Sequence, residues 1–260
     1  MTLWCLLFAL VLGTASAGWL RGPEERIVNG QPVRSHIPFQ VALIENKSVK
    51  CGGAIYSERI ILTAAHCVTY SQVERLSVRA GSASWNCSGQ LLAVQKAIIH
   101  EHFYSEKYQA DNDIAVLLLS SPLKFDNSTK NIELAESAPC DGTPAVVSGW
   151  GSELFEPGDK DRLHSIEVTV KDRNRCQQGY NVLDALLAED KTIDIGEDKV
   201  CASSYGDGAC FGDSGGPLYT SEPTQLIGIV SGGFRCLTPG LYTNVAFFKT
   251  WIESAVSRLI

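Results

Sequence analysis

Ser214 sits in Gly212-Asp213-Ser214-Gly215-Gly216-Pro217, just after Cys210-Phe211. Glycine on either side leaves room for a substrate carbonyl to reach the serine oxygen. It also permits a tight turn in which backbone N–H groups point outward. A serine hydroxyl is un-ionised at neutral pH, so as a nucleophile it needs a base, and the base needs a carboxylate to orient it. The chain must therefore supply a histidine and an acid.

There are five histidines: His36, His66, His100, His102 and His164. His66 lies in Thr63-Ala64-Ala65-His66-Cys67, at the end of the strand-like run Ile60–Thr63, where small neighbours leave its ring clear to turn. Taken alone it would be an ordinary half-buried histidine. His100 and His102 flank Glu101, but their i, i+2 spacing differs from the i, i+4 spacing of H-E-x-x-H, so they read as a strand-end pair. Asp113 directly precedes the apolar run Ile114–Leu119 and is drawn inward with it, whereas Asp111 reads as a surface turn acid. A buried carboxylate needs a partner, and a histidine N–H would satisfy it while fixing the imidazole tautomer.

Chain order separates the ways of assembling such a set. Gly212-Asp213-Ser214-Gly215-Gly216 also fits the G-x-S-x-G elbow, which needs its histidine after the serine; here the last histidine is His164. An Asp-His-Ser order fails too, because no aspartate precedes His66. Only His-Asp-Ser remains.

The chain has 260 residues, 45% hydrophobic and 20% charged, which is ordinary for a globular protein. A net charge of −7 argues against a nucleic-acid surface. Leu6–Leu12 followed by Ala15-Ser16-Ala17 has the apolar core and A-x-A end of a secretory signal, although without a charged start. That run is too short to span a bilayer, and no later stretch is longer, so a secreted, unanchored chain is expected, with cleavage after Ala17. Of nine cysteines, losing Cys5 leaves an even set, and secretion favours disulfides. No C-x-x-C pair suggests zinc. Asn46, Asn86 and Asn127 head glycosylation sequons.

Residues 18–26 are polar and contain Gly22-Pro23, which reads as a linker. Beyond them, short β-branched runs recur at Phe39–Ile44, Ala54–Tyr56, Ile60–Thr63, Leu76–Ala80, Leu91–Ile99 and Ile114–Leu119. More follow at Ala145–Val147, Ser165–Val170, Leu226–Val230 and Gly240–Val245, which points to an antiparallel all-β protein without sequence repeats. A C-terminal helix over Ala246–Leu259 places Phe248, Trp251, Ile252, Ala255 and Leu259 on one face, with Asn244 near its start. A weaker helix is expected over Asn181–Ala188.

From about Ile27 to Ile260 the chain resembles the chymotrypsin/trypsin-type serine endopeptidases. The matching pieces are IVNG at 27–30, CGGAIYSERIILTAAHC at 51–67, DNDIAVLLL at 111–119, SGWG at 148–151, GDSGGP at 212–217 and GLYTNV at 240–245. The resemblance implies two six-stranded antiparallel β-barrels packed together with a C-terminal α-helix, the catalytic cleft lying between them. It makes residues 1–17 a signal peptide, 18–26 an activation propeptide and 27–260 the protease domain. By the same resemblance His66, Asp113 and Ser214 are the catalytic triad, and the N–H groups of Gly212 and Ser214 form the oxyanion hole. Ser231 supports Asp113. Cleavage after Arg26 would free the Ile27 amine to pair with Asp213, so the intact chain is a zymogen. Disulfides Cys51–Cys67, Cys176–Cys201 and Cys210–Cys236 are implied as well. Cys87 and Cys140 have no counterpart; they either pair or both stay free, and an oxidising compartment favours the pair.

No cofactor and no metal are implied, since the loop Gly81–Gln90, in the position of the family's calcium loop, contains no Asp or Glu. Partners would be protein or peptide substrates, an activating protease with basic-residue specificity and protein inhibitors, with the enzyme itself a monomer. The pocket would be lined by Gly208, Ala209, Ser231, Gly233 and Gly240. Trypsin-type members carry an acid six residues before the nucleophile; here that position is Gly208, which favours large apolar side chains. The alternative is Arg/Lys specificity through Asp207. Two further departures are Gly232, where an aromatic residue usually lines the cleft, and a short Cys236–Gly240 loop. Only a short segment precedes Ile27, which points to a simple secreted or digestive enzyme over a cascade protease. From another class, the rival is a non-catalytic homologue that binds partners through the same fold.

Overall fold

Turn residues cut the β-branched runs into strands of two to ten residues, and the strands curl into two closed barrels. A computed structural model describes residues 31–33, 36–106, 109–151, 161–187, 193–203, 214–233 and 239–260. Strand β1 (Gln31–Pro32) leads into β2 (Gln40–Glu45), β3 (Ser48–Ser57), β4 (Ile60–Thr63), β5 (Leu76–Ala80) and β6 (Gln90–Ile99). A small hairpin, β7 (Tyr104–Glu106) and β8 (Gln109–Asp111), precedes β9 (Ala115–Leu119). The short β10 (Glu133–Leu134) comes before β11 (Pro144–Gly149) and β12 (His164–Lys171). Helix α1 (Arg173–Leu187) is followed by β13 (Lys199–Ser203), β14 (Pro217–Ser221), β15 (Thr224–Gly232), β16 (Gly240–Asn244) and helix α2 (Lys249–Leu259).

The first barrel closes in the order β2-β3-β4-β9-β6-β5. The second closes as β11-β12-β13-β16-β15-β14, with the β12–β13 pairing completing the ring. Both follow one plan: three strands pair in succession, then the last three return in reverse. The sequence shows no repeat, but the topology is duplicated.

All five residues of β9 are buried instead of alternating, because one face fills the first barrel and the other lies under α2. Ile252, Ala255 and Leu259 of α2 join Val116 and Leu118 in that core. The chain thus ends by packing the tail of the second barrel against the first. Val147, Val168, Val170, Leu218, Ile227 and Val230 fill the second barrel.

Some features were not legible. Strand β13 lacks a clear β-branched start because it opens on Lys199, and β14 because it opens on Pro217. Helix α1 begins at Arg173, well ahead of the expected Asn181, since the Asp172 carboxylate accepts the Arg175 N–H at 3.0 Å and caps the first turn. Its buried face, Cys176, Tyr180 and Leu183, has helical spacing hidden in a polar sequence. Helix α2 starts at Lys249 instead of Ala246, because Asn244 first closes a turn, its Oδ1 accepting from the Phe247 N–H at 3.4 Å. The expected Cys87–Cys140 pair is not formed. Both thiols are free and exposed, one in the loop after β5 of the first barrel and the other just ahead of β11 of the second. Among the described residues, no helix is long and apolar enough to cross a membrane.

Candidate active site

Three segments meet where the barrels abut. The first is a single 3-10 turn, Ala65–Cys67, which β4 delivers at its end and which carries His66. A disulfide joins Cys67 back to Cys51 on β3, so the turn is bonded to the strand beside it. Closing a loop of this length contributes about 3 kcal/mol. The second segment is Asp111-Asn112-Asp113, where Asn112 takes a left-handed φ of 51° and the Ile114 N–H closes onto the Asn112 carbonyl at 2.8 Å.

The Asp113 side chain is wholly buried (0% exposed) and its oxygens are surrounded by donors. Oδ2 lies 2.7 Å from His66 Nδ1 and accepts from the Ser231 hydroxyl at 2.6 Å. Oδ1 accepts from the His66 backbone N–H at 3.0 Å. The same histidine therefore grips the carboxylate twice, by main chain and by ring. An ionised carboxylate only accepts, so Nδ1 carries the proton and Nε2 keeps its lone pair. The ring is 28% exposed. Nε2 lies 3.7 Å from the bridged sulfur of Cys67, which has no hydrogen to donate to it. In the neutral ring, this tautomer makes Nε2 the one basic nitrogen.

The third segment is Ser214-Gly215-Gly216. The Ser214 carbonyl accepts the Gly52 N–H of β3 at 2.8 Å, a bond that crosses between the barrels. Gly215 donates to the Val230 carbonyl at 2.8 Å, and Val230 donates back to Gly216 at 2.9 Å. At Gly215 φ is +80°, and an added Cβ would lie 2.3 Å from Thr63 Oγ1, 2.7 Å from the Gly52 carbonyl and 3.2 Å from the Ala64 nitrogen. Ala64 is two residues before His66. The serine turn thus presses backbone to backbone against the strand end that carries the histidine, a packing that only glycine allows. A Gly215→Ala chain should lose about 2–4 kcal/mol of stability through steric overlap and left-handed strain. A melting temperature equal to the parent's would refute this.

The structure brings His66, Asp113 and Ser231 within hydrogen-bond distance and packs the Ser214 turn against the strand end beside them. Gly233 and Gly240 flank the same region, and Gly240 is buried at the start of β16. Cys176 and Cys201 are joined, tying α1 to β13. Arg26, Ile27, Asp207, Gly208, Ala209, Gly212 and Asp213 lie outside the described residues, as do Cys210 and Cys236. Two residues escaped sequence reasoning. Thr243 of β16 donates its hydroxyl to the Asp113 carbonyl at 2.7 Å; its only signal was its place in the GLYTNV motif. Tyr180 of α1 is fully buried and donates to the Pro239 carbonyl at 2.8 Å, holding the stretch that enters Gly240.

Metal chemistry does not fit the donor set. Cys51, His66 and Cys67 bring ligand atoms within 4.8 Å of one another, but both sulfurs are spent in the disulfide and offer no thiolate. The loop 81–90 is closed by the protein's own cation. Arg79 Nε donates to the Trp85 carbonyl at 2.8 Å and its Nη1 donates to that of Ser88. His100 packs at a tilt against Trp251 with ring centroids 4.8 Å apart, and burial lowers its pKa. Its Nδ1 accepts the His102 N–H at 3.2 Å, so the pair is structural.

A sequence model of the trypsin family matches residues 27–252. Trypsin iota of Drosophila melanogaster is 38% identical over 98% of this chain and 96% of its own. Hypodermin-B of Hypoderma lineatum is 39% identical, covering 97% of this chain and 95% of its own. Among solved structures, neuropsin, a serine protease expressed in the limbic system of mouse brain, superposes with a TM-score of 0.73 at 31% identity. That superposition covers 88% of this chain and 99% of neuropsin's. With a family match across nearly the whole barrel pair, the chain belongs to the trypsin family of serine endopeptidases.

Proposed function

We propose that the protein is a secreted endopeptidase, made as a zymogen, that hydrolyses peptide bonds through His66, Asp113 and Ser214. The observation that carries this reading is the buried Asp113 carboxylate, held by the His66 ring, the His66 N–H and Ser231, beside the glycine-packed Ser214 turn. Ser214 Oγ attacks the substrate carbonyl while His66 Nε2 takes its proton. The oxyanion is stabilised by the N–H groups of Gly212 and Ser214, each worth roughly 3 kcal/mol in comparable chemistry. His66 then protonates the leaving amine, and the acyl-enzyme is hydrolysed by water through the same steps in reverse. Asp113 keeps the imidazole oriented and stabilises the imidazolium.

The working form begins at Ile27, after removal of residues 1–17 as a signal and 18–26 as a propeptide by a protease that cleaves after Arg26. It acts as a monomer on proteins and peptides, is open to protein inhibitors, and offers candidate glycan acceptors at Asn46, Asn86 and Asn127. A fluorophosphonate should label Ser214 in the protein cleaved at Arg26 and fail to label a His66→Ala variant. Absence of labelling in the cleaved parent would favour a non-catalytic binding protein.

For specificity, the reading is a neutral, roomy pocket that takes large apolar side chains, because no acid stands at Gly208, Ser231, Gly233 or Gly240. The second reading, Arg/Lys preference through Asp207, rests on that acid lying one residue from the pocket floor. A peptide library separates them by cleavage after aromatic and leucine residues or after basic ones. Gly232 adds a further expectation, since among the described residues an added Cβ there meets nothing within 4 Å. Gly232→Trp should therefore fold normally and narrow the library profile, and an unchanged profile would count against a cleft open at this point.

A further inference from the structure

Lys199 opens β13 in the second barrel with its side chain only 2% exposed, a placement that a cation rarely adopts without partners. One partner is its neighbour, Asp198 Oδ2. A second comes from the first barrel: Nζ lies 3.9 Å from Oδ1 of Asp111, two residues before Asp113. Lys199 is paired in register with Thr243 of β16, so the two side chains stand together on one face of the sheet. Thr243 is the residue whose hydroxyl holds the Asp113 carbonyl. Adjacent side chains on neighbouring strands therefore take the two ends of one short turn.

That turn needs holding. Asn112 at its centre has a left-handed φ of 51° and donates its side-chain amide to the His102 carbonyl at 3.0 Å. A left-handed non-glycine residue persists where its surroundings over-determine it. Asp198 is enough to pair the buried cation, yet the ammonium also approaches a carboxylate of the opposite barrel. We propose that Lys199 is a positioning residue for catalysis, an ionic pin from the second barrel that sets where Asp113 meets His66. The proposal rests on the reading of His66, Asp113 and Ser214 as the catalytic set. Releasing the pin lets the turn relax and loosens the 2.7 Å contact between Asp113 Oδ2 and His66 Nδ1. A displacement of about 1 Å in such a set can cost about 100-fold in rate.

The test compares Lys199→Met, Lys199→Arg and Asp111→Ala with the parent, all in the cleaved enzyme on one peptide substrate. The Asp111 carboxylate is partly exposed, so its removal tests the pin without disturbing a buried cation. Expected are a roughly tenfold or larger fall in kcat for Lys199→Met and Asp111→Ala, with KM changed less than about twofold. Lys199→Arg should recover most of the loss. The low-field proton resonance of the His66 Nδ1–H should shift or broaden in the two damaged variants and return in Lys199→Arg. If Asp111→Ala keeps parental kcat and an unaltered resonance, the proposal falls, whatever the stability of Lys199→Met. An inactive parent, or a His66→Ala variant as active as the parent, would instead overturn the catalytic reading beneath it.

Discussion

Replacing Asp113 with asparagine should leave a folded protein whose kcat is lower by about 10⁴-fold, the scale of the same change in a related triad enzyme. The reason lies in the three donors around the carboxylate. The His66 backbone N–H, 3.0 Å from Oδ1, is a fixed donor and needs an oxygen opposite it. An asparagine would therefore set its oxygen there and place its NH2 where Oδ2 now faces His66 Nδ1 and Ser231. The Ser231 hydroxyl can rotate to accept. The imidazole can accept at Nδ1 only by moving its proton to Nε2, and in that tautomer it cannot take the proton of Ser214. Folding should persist because each polar group around the new side chain keeps a partner. Steady-state kcat together with fluorophosphonate labelling checks the prediction, and a variant within tenfold of the parent would refute this role for the carboxylate.

Arg26→Gln should abolish activity almost completely while the protein is still made and folded. The catalytic side chains are untouched by this change, so the loss would report the zymogen step alone. Without a basic residue the activating cleavage fails, the Ile27 amine is never formed and Asp213 has no cation to pair with. The Gly212 N–H is then not presented to the oxyanion. The same pair predicts a loss of activity at high pH. An α-amine titrates near 8 when unperturbed, and an ion pair with a carboxylate raises that value. The ion pair is thus intact below the unperturbed value and is lost, with the activity it supports, as pH climbs past the raised one. Replacing Arg26-Ile27 with a site for an unrelated protease that leaves Ile27 at the new N-terminus should restore activity after cleavage. An uncleaved Arg26→Gln chain that hydrolyses peptides at the parental rate would remove the zymogen reading.

Much of this was written in local sequence. The order His66, Asp113, Ser214 excluded other ways of assembling a serine nucleophile, and the apolar run after Asp113 foretold its burial. The strands with clear β-branched runs were legible almost to the residue, as at Ile60–Thr63 and Leu76–Ala80. The elements that escaped were those whose pattern is set by distant neighbours. Strand β13 begins with a lysine made tolerable by the opposite barrel's Asp111 and its own Asp198. Helix α1 looks polar until the Cys176–Cys201 bond and Tyr180 show which face it buries. Cys87 and Cys140 could be counted as a pair but belong to loops of separate barrels.

The sequence by itself determined which chemistry the chain carries, because residue type and chain order limit what a serine, a histidine and an aspartate can do together. It also determined an all-β architecture, because period-two patterning and turn residues are local properties. The tertiary structure alone decided how that chemistry is held in place. Gly215 packing on Ala64, Gly52 bonding Ser214, and Ser231 and Thr243 reaching Asp113 all cross from one barrel to the other. Such contacts join residues 118 or more positions apart, and no local pattern encodes them. They exist because two separately closed barrels share one seam, and the reactive groups lie along it.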